Sequence, residues 1–236
     1  MPHIVEKHIP KVTHIGFLDR PAAERRPTID GPGISVSTHP EDWRAIAGLN
    51  GPEMVLRFTA AKWVDALEFS DEDRAEVVAW MLAQDYARAV TGWTATRYDE
   101  EADDFIEQTF ESREAAARFA GRSLEEEIAA EARGQGAVME EETYRLTRRA
   151  LKRLVRWPDP LRWFDGAVLL YCREVVLPKR PLVVGVWWGE AHDRRARSCP
   201  SGVLFPERLD LFDVVDEDGD FVPFADAAPS FAAAQA

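Results

Sequence analysis

Cysteine is scarce in this chain. There are two, Cys172 and Cys199, with no CxxC pair and no histidine cluster at metal-ligand spacing. That excludes a disulfide-stapled scaffold and a zinc module, and it leads us to expect a reducing compartment and no metal. Long hydrophobic runs are also missing. None approaches the roughly 18 apolar residues that span a bilayer, and the opening MPHIVEKHIPK lacks the apolar centre of a signal peptide. The expectation is a cytoplasmic, soluble protein with no membrane partner. Positive charge is the third shortage: 42 acidic against 29 basic side chains give a net charge of −13. A field of that sign repels nucleic acid unless a local basic patch overrides it. It keeps a chain soluble, or it offers an acidic face to a partner, mimicry of nucleic acid included.

Apolar residues are plentiful, at 46% of 236 residues, enough for a substantial core. Residues 1–10 read as an irregular arm with a short strand. Lys11 to Leu18 alternates and predicts a first strand carrying His14. The prolines and glycines between Asp19 and Gly33 predict a loop. Ile34 to Thr38 (ISVST) predicts a second strand, and Pro40-Glu41-Asp42 begins a short helix, with Pro and acids in the first turn where the helix dipole favours them. Met54 to Phe58 suits a third strand.

From 62 to 160 the pattern reads as helix. Ser70 with Asp73 resembles a capping box before an apolar stripe of Val77, Met81 and Tyr86 that ends at Gly92. Asp99 to Phe110 reads as an acidic helix, short helices follow Ser112 and Ser123, and 138–156 reads as a last helix with an acidic start and an Arg-rich end.

The stretch that organises the rest is Tyr171 to Trp188, YCREVVLPKRPLVVGVWW. β-Branched and aromatic residues suit a pleated, half-buried surface, and prolines sit at strand ends because they cannot donate to a ladder. We therefore expect strands over 168–177 and 182–188. Val203 to Phe205, then a hairpin of Leu211–Val215 and Phe221–Phe224, complete the pattern. The fold expected is α+β: a mixed or antiparallel sheet built from N- and C-terminal strands around a large helical middle. Residues 1–61 and 161–224 would form the core, 62–160 an insertion or subdomain, and 225–236 a frayed tail.

Three short motifs carry the candidate chemistry: Thr13-His14-Ile15-Gly16, Ser35-Val36-Ser37-Thr38, and Arg173-Glu174-Val175-Val176-Leu177-Pro178. In this order they resemble the ADP-ribosyltransferase fold family, in which a strand with Arg or His precedes a Ser-Thr-Ser-like strand and a later strand carries the catalytic Glu. The resemblance covers about 40 scattered residues. It implies NAD as cofactor-substrate, His14 orienting it, Ser35 or Ser37 bracing the ribose or the glutamate, and Glu174 as the catalytic group, in a bacterial or phage effector or toxin. The physical reason for the carboxylate is that cleaving the nicotinamide–ribose bond builds positive charge on the ribose. A fixed negative group there stabilises the transition state more than the ground state. Where many protein-modifying members carry Glu or Gln two residues before the catalytic Glu, this chain has Cys172.

Each motif has a plainer reading: a hydrogen-bonded strand histidine, a solvated Ser/Thr face, an exposed Arg173–Glu174 pair. The corresponding function is a non-enzymatic acidic interaction module, such as an inhibitor, immunity or phage accessory protein, with a protein partner on an acidic or Trp-rich face. Trp187 and Trp188 are adjacent on a strand, so one must face each side of the sheet. Trp157, Trp163 and Trp188 could share a core cluster. Arg145, Arg148, Arg149, Lys152 and Arg156 form a basic stripe, expected to pair with the acids of 99–107 rather than to meet nucleic acid. His192-Asp193 with Ser198 and Cys199 lacks the strand-to-helix elbow of a nucleophilic site. Nothing in the sequence sets an oligomeric state.

Overall fold

The computed structural model describes residues 4–16, 33–99, 104–154, 163–189, 199–215 and 219–227. In chain order the strands are β1 (Glu6–His8), β2 (Lys11–Ile15), β3 (Ile34–Ser37), β4 (Glu53–Arg57), β5 (Lys62–Asp65), β6 (Ala87–Asp99), β7 (Asp104–Phe110), β8 (Val138–Leu146), β9 (Val183–Trp188), β10 (Ser201–Leu204), β11 (Asp213–Val215) and β12 (Phe221–Pro223). The α-helices are α1 (Pro40–Ala47), α2 (Asp71–Ala83), α3 (Arg113–Phe119), α4 (Leu124–Glu131), α5 (Arg148–Leu154) and α6 (Trp163–Tyr171). The class is α+β, with a large mixed sheet. Two compact units divide the chain: unit 1 comprises Met1–Tyr86, Arg148–Pro158 and Phe164–Ala236, and unit 2 comprises Ala87–Thr147 and Asp159–Trp163.

Unit 1 holds nine strands in the order β1-β5-β9-β10-β3-β2-β4-β11-β12. Among these described strands β5 and β9 run parallel and the other neighbours antiparallel. Its centre is filled by tryptophan laid over glycine. Trp63 and Trp187 meet edge to face at 5.4 Å. Gly202 pairs with Trp187, and a Cβ there would lie 2.5 Å from the indole; at Gly185 it would lie 2.7 Å from Trp63. Only glycine lets the two rings rest on the strands. The Trp63 indole N–H donates to Ile9 O at 3.1 Å, so its polar edge is satisfied inside the core.

Two expectations in unit 1 are overturned or refined. Residues 168–177 are not a strand: α6 runs to Tyr171 and continues as a π-helical turn, Cys172–Val176, so Glu174 sits on a helix end. Gly166 to Tyr171 are all buried, and a helix buried all round shows the same unbroken apolar run as a buried strand. Trp187 and Trp188 do face opposite sides, and both are buried. The cap expected at Ser70 is present in full: its hydroxyl accepts from Asp73 N, and the Asp73 carboxylate accepts from Ser70 N at 3.1 Å. The helix it starts ends at Ala83, before Gly92 is reached.

Unit 2 is a three-stranded antiparallel sheet in the order β7-β6-β8, with α3 and α4. Among the described residues, the helices expected over 99–110 and 138–156 are strands, β7 and β8, with α5 the helical exception. β6 pairs with β7 from Trp93↔Phe110 to Asp99↔Asp104, and with β8 from Ala87↔Leu146 to Ala95↔Val138. The register puts Trp93, Ala95, Phe110 and Val138 on one face, where Ala116, Ala117 and Phe119 of α3 cover them. Of the chain's charge, 16 of the 42 acidic and 8 of the 29 basic side chains lie in unit 2, a net −8 in 66 residues.

Candidate functional site

The first two motifs land on neighbouring strands. β2 and β3 pair antiparallel with Thr13 opposite Ser37, and β10 flanks β3 on its other side with Ser201 opposite Ser37 and Val203 opposite Ser35. Residues directly opposite in an antiparallel pair share a face. Thr13, Ser37 and Ser201 therefore form one row across three strands, which Trp188 of β9 extends. Ile34 and Val36 face the other way, into the hydrophobic core. The expected solvated Ser/Thr face is instead buried: Ser35 and Ser201 are 8% exposed and Ser37 is fully enclosed.

His14 reaches Ser35 only through the backbone: alternation from Thr13 puts its side chain on the Val12, Met54 and Val36 side of the sheet, opposite the Ser35 and Ser37 hydroxyls. The His14 Nδ1–H donates to Ser35 O at 2.9 Å, which leaves Nε2 as the acceptor of the neutral ring. Burial lowers the His14 pKa, and the Ser35 hydrogen bond only partly opposes that. The imidazole is accordingly neutral at physiological pH. A Cβ at Gly16, whose φ is 132°, would lie 3.1 Å from Nε2, so the glycine keeps that nitrogen clear. Ser37 is differently placed. Its hydroxyl donates to Pro200 O at 2.7 Å, accepts from His39 N at 2.9 Å, and lies 3.3 Å from Cys199 Sγ. Those bonds commit the hydroxyl to the protein; Ser37 braces the 199–200 segment and the start of α1. Of the suggested His192-Asp193-Ser198-Cys199 group, the first three lie outside the described residues, and Cys199 is buried.

Glu174 belongs to a separate cluster. Both its oxygens accept from Tyr86 Oη at 3.1 Å, and Arg153 Nε of α5 stands 3.9 Å away. Arg149 lies over the Tyr86 ring at 5.3 Å, and Trp80 packs edge-on against Tyr86 and Tyr171 at 5.5 and 5.3 Å. The hydrogen bonds and ion pair of Glu174 go to Tyr86 and Arg153, not to His14, Ser35 or Ser37. Its side chain is 30% exposed. Cys172, two residues earlier, is completely buried, and burial pushes its thiol pKa far up, with Arg180 opposing weakly. It cannot present an acceptor. β9 (VVGVWW) and β10 (SGVL) carry no acidic residue, so neither of these two strands presents a glutamate to Ser35 or Ser37.

Sequence reasoning missed Thr13, Ser201, Tyr86 and Arg153. The first two become visible only through strand register. Tyr86 was read as part of an apolar helical stripe, but it follows α2, with its amide donating to Met81 O at 2.8 Å. The basic stripe is also redistributed. Arg145 lies on β8 and pairs with Glu111, whereas Arg149 lies over the Tyr86 ring beside Arg153, a residue outside the expected stripe. Arg156 and Trp157 lie outside the described residues. Trp163 packs against Tyr144 at 5.1 Å.

Among the described residues no group of three or more His, Cys, Asp or Glu is arranged to hold a metal, and no helix is long and apolar enough to cross a membrane. Comparison with protein-family models, with curated proteins and with solved structures returns no match.

Proposed function

We propose that this chain is an ADP-ribosyltransferase-like protein that binds NAD on unit 1, at the strands bearing His14 and Ser35, and that Glu174 serves cleavage of the nicotinamide–ribose bond. The observation that carries the reading is the hydrogen bond from His14 to the Ser35 backbone carbonyl, which leaves Nε2 as an acceptor for a ribose hydroxyl. In the proposed step the N-glycosidic bond breaks and its electron pair leaves with nicotinamide, neutralising the ring nitrogen. Water or an acceptor nucleophile then bonds the ribose carbon and gives up a proton. The carboxylate stabilises the positive charge on the ribose in between. For Glu174 to supply it, one NAD must reach both the strands bearing His14 and Ser35 and the helix end where Tyr86 holds that carboxylate.

The test is calorimetric titration with NAD together with a nicotinamide-release assay, on the wild type, His14→Ala and Glu174→Ala. Saturable binding weakened in His14→Ala, with release abolished in Glu174→Ala, supports the full reading. Binding without release supports a degenerate, cofactor-holding relative and removes the catalytic role of Glu174. Absence of binding at about millimolar NAD, an interaction of only ~4 kcal/mol, overturns the proposal. A second reading, the non-enzymatic acidic interaction protein, is favoured by the concentration of negative charge in unit 2.

A further inference from the structure

The sheet of unit 2 has two unlike faces. α3 covers one; strand alternation puts Tyr98, Phe105, Glu107, Met139 and Glu141 on the other. A polar cluster marks that side: the Thr94 and Thr109 hydroxyls lie 2.9 Å apart, each within hydrogen-bond reach of the Glu141 carboxylate, which accepts. Phe105 is 69% exposed, Met139 62% and Tyr98 49%. The Tyr98 and Phe105 rings meet edge-on at 5.3 Å. Apolar residues scattered singly over a surface need no explanation; here the Tyr98–Phe105 pair and Met139 share one sheet face with the exposed carboxylates of Glu107 and Glu141.

We infer that this face docks a cationic segment of a partner protein in which Arg or Lys alternates with apolar residues. Charge complementarity selects the cation: unit 2 carries net −8 in 66 residues, and Glu107 lies between the Tyr98–Phe105 pair and Met139 along the sheet. The rings suit the same partner, since a guanidinium favours the face of an aromatic ring. Unit 2 already uses that contact internally, with Arg97 over Phe119 at 4.6 Å and Arg113 over Trp93 at 5.5 Å. The apolar residues of the segment would lie against Met139 and Phe105, whose exposure is otherwise a cost in water.

The probe is a fluorescein-labelled decapeptide of alternating Arg and Leu, titrated by anisotropy against the full chain, with an all-Arg decapeptide as comparison. The wild type is expected to bind the Arg-Leu peptide saturably and more tightly than the all-Arg one. Phe105→Ser/Met139→Ser and Glu107→Lys are each expected to weaken binding about tenfold, the loss typical of a central interface residue. These residues are exposed, and an unchanged circular dichroism spectrum and urea-unfolding midpoint would show that the fold of each variant is intact. Equal binding of the two peptides, or undiminished binding by Phe105→Ser/Met139→Ser, would reduce the effect to net charge and overturn the proposal. So would failure to saturate at about 100 µM, weaker than a specific patch should give.

Discussion

The two sheets solve the same problem with different means. Unit 1 encloses its central strands completely: β3 and β10 are buried along their whole length, and Trp63 and Trp187 fill the space above Gly185 and Gly202. Unit 2 has a small core, Ala95, Ala116, Ala117 and Val138 with Trp93, Phe110 and Phe119 around it. There a buried charge does part of the joining. Glu127 of α4 has no exposed surface; one oxygen accepts from the amides of Ala137 and Val138 at 2.6 and 2.9 Å, and the other from Arg122 at 2.8 Å. The bonds tie α4 to the start of β8. A wide sheet can hold its geometry by burial alone, whereas a three-stranded one with an open face gains from polar anchors.

If burial is what holds unit 1, removing its central ring should have the largest effect on the molecule. Trp187→Ala deletes a side chain that packs on Trp63 and lies across Gly202, and large-to-small changes of this kind cost about 3–5 kcal/mol. Urea unfolding followed by tryptophan emission should show that loss, and a change below about 1 kcal/mol would mean the site collapses or the ring is not central. The matching cut in unit 2 is Glu127→Ala, which leaves the buried Val138 amide and the half-buried Ala137 amide without an acceptor and Arg122 with only the Gln135 carbonyl. We expect roughly 2–3 kcal/mol, confined to unit 2. Hydrogen exchange should quicken at Ala137 and Val138 and stay unchanged in β3 and β10. Exchange rising equally in both sheets would show that the anchor is not local.

The same contrast explains what could be read from the residues in advance. β2, β3, β4 and β9 were legible because short alternating or β-branched runs sit between prolines and glycines. Ser70, Ser112 and Ser123 were legible as helix starts because a cap is a local device. What failed was telling strand from helix where the environment, not the residue, decides. Val168 to Tyr171 form a helix buried on every side, so no polar face revealed the 3.6-residue period. Unit 2 erred the other way: glutamate-rich β8 and the acidic end of β7 favour helix by composition, yet pairing with β6 holds them extended. The alternation of Trp93, Ala95 and Arg97 was the available signal. For the candidate site, His14 and Ser35 could be guessed as neighbours. The Thr13–Ser37–Ser201 row and the Tyr86–Glu174–Arg153 cluster depend on register and on long-range packing, which a sequence does not display.

Titration sharpens the contrast further, with the smallest expected effect. In unit 1 burial lowers the His14 pKa below its ordinary 6.5. The unfolded chain then takes up a proton that the folded chain refuses as pH drops beneath 6.5, so stability is greatest above that value and falls towards the lowered folded pKa. In unit 2 burial alone would raise the Glu127 pKa, but Arg122 and the Val138 and Ala137 amides outweigh it and hold the carboxyl below its ordinary 4.5. Its contribution is present above 4.5 and disappears as pH falls through the lowered value. Unit 1 should therefore weaken first, on the slightly acid side of neutrality, and unit 2 only in stronger acid. Urea midpoints at about pH 7, 5 and 3.5 for wild type, His14→Gln and Glu127→Gln separate the two, because each substitution should flatten one limb of the profile alone. A His14→Gln profile that follows the wild type between about pH 7 and 5 would mean that this imidazole takes up its proton as readily folded as unfolded. That would also remove the neutral acceptor nitrogen on which its proposed contact with the ribose depends.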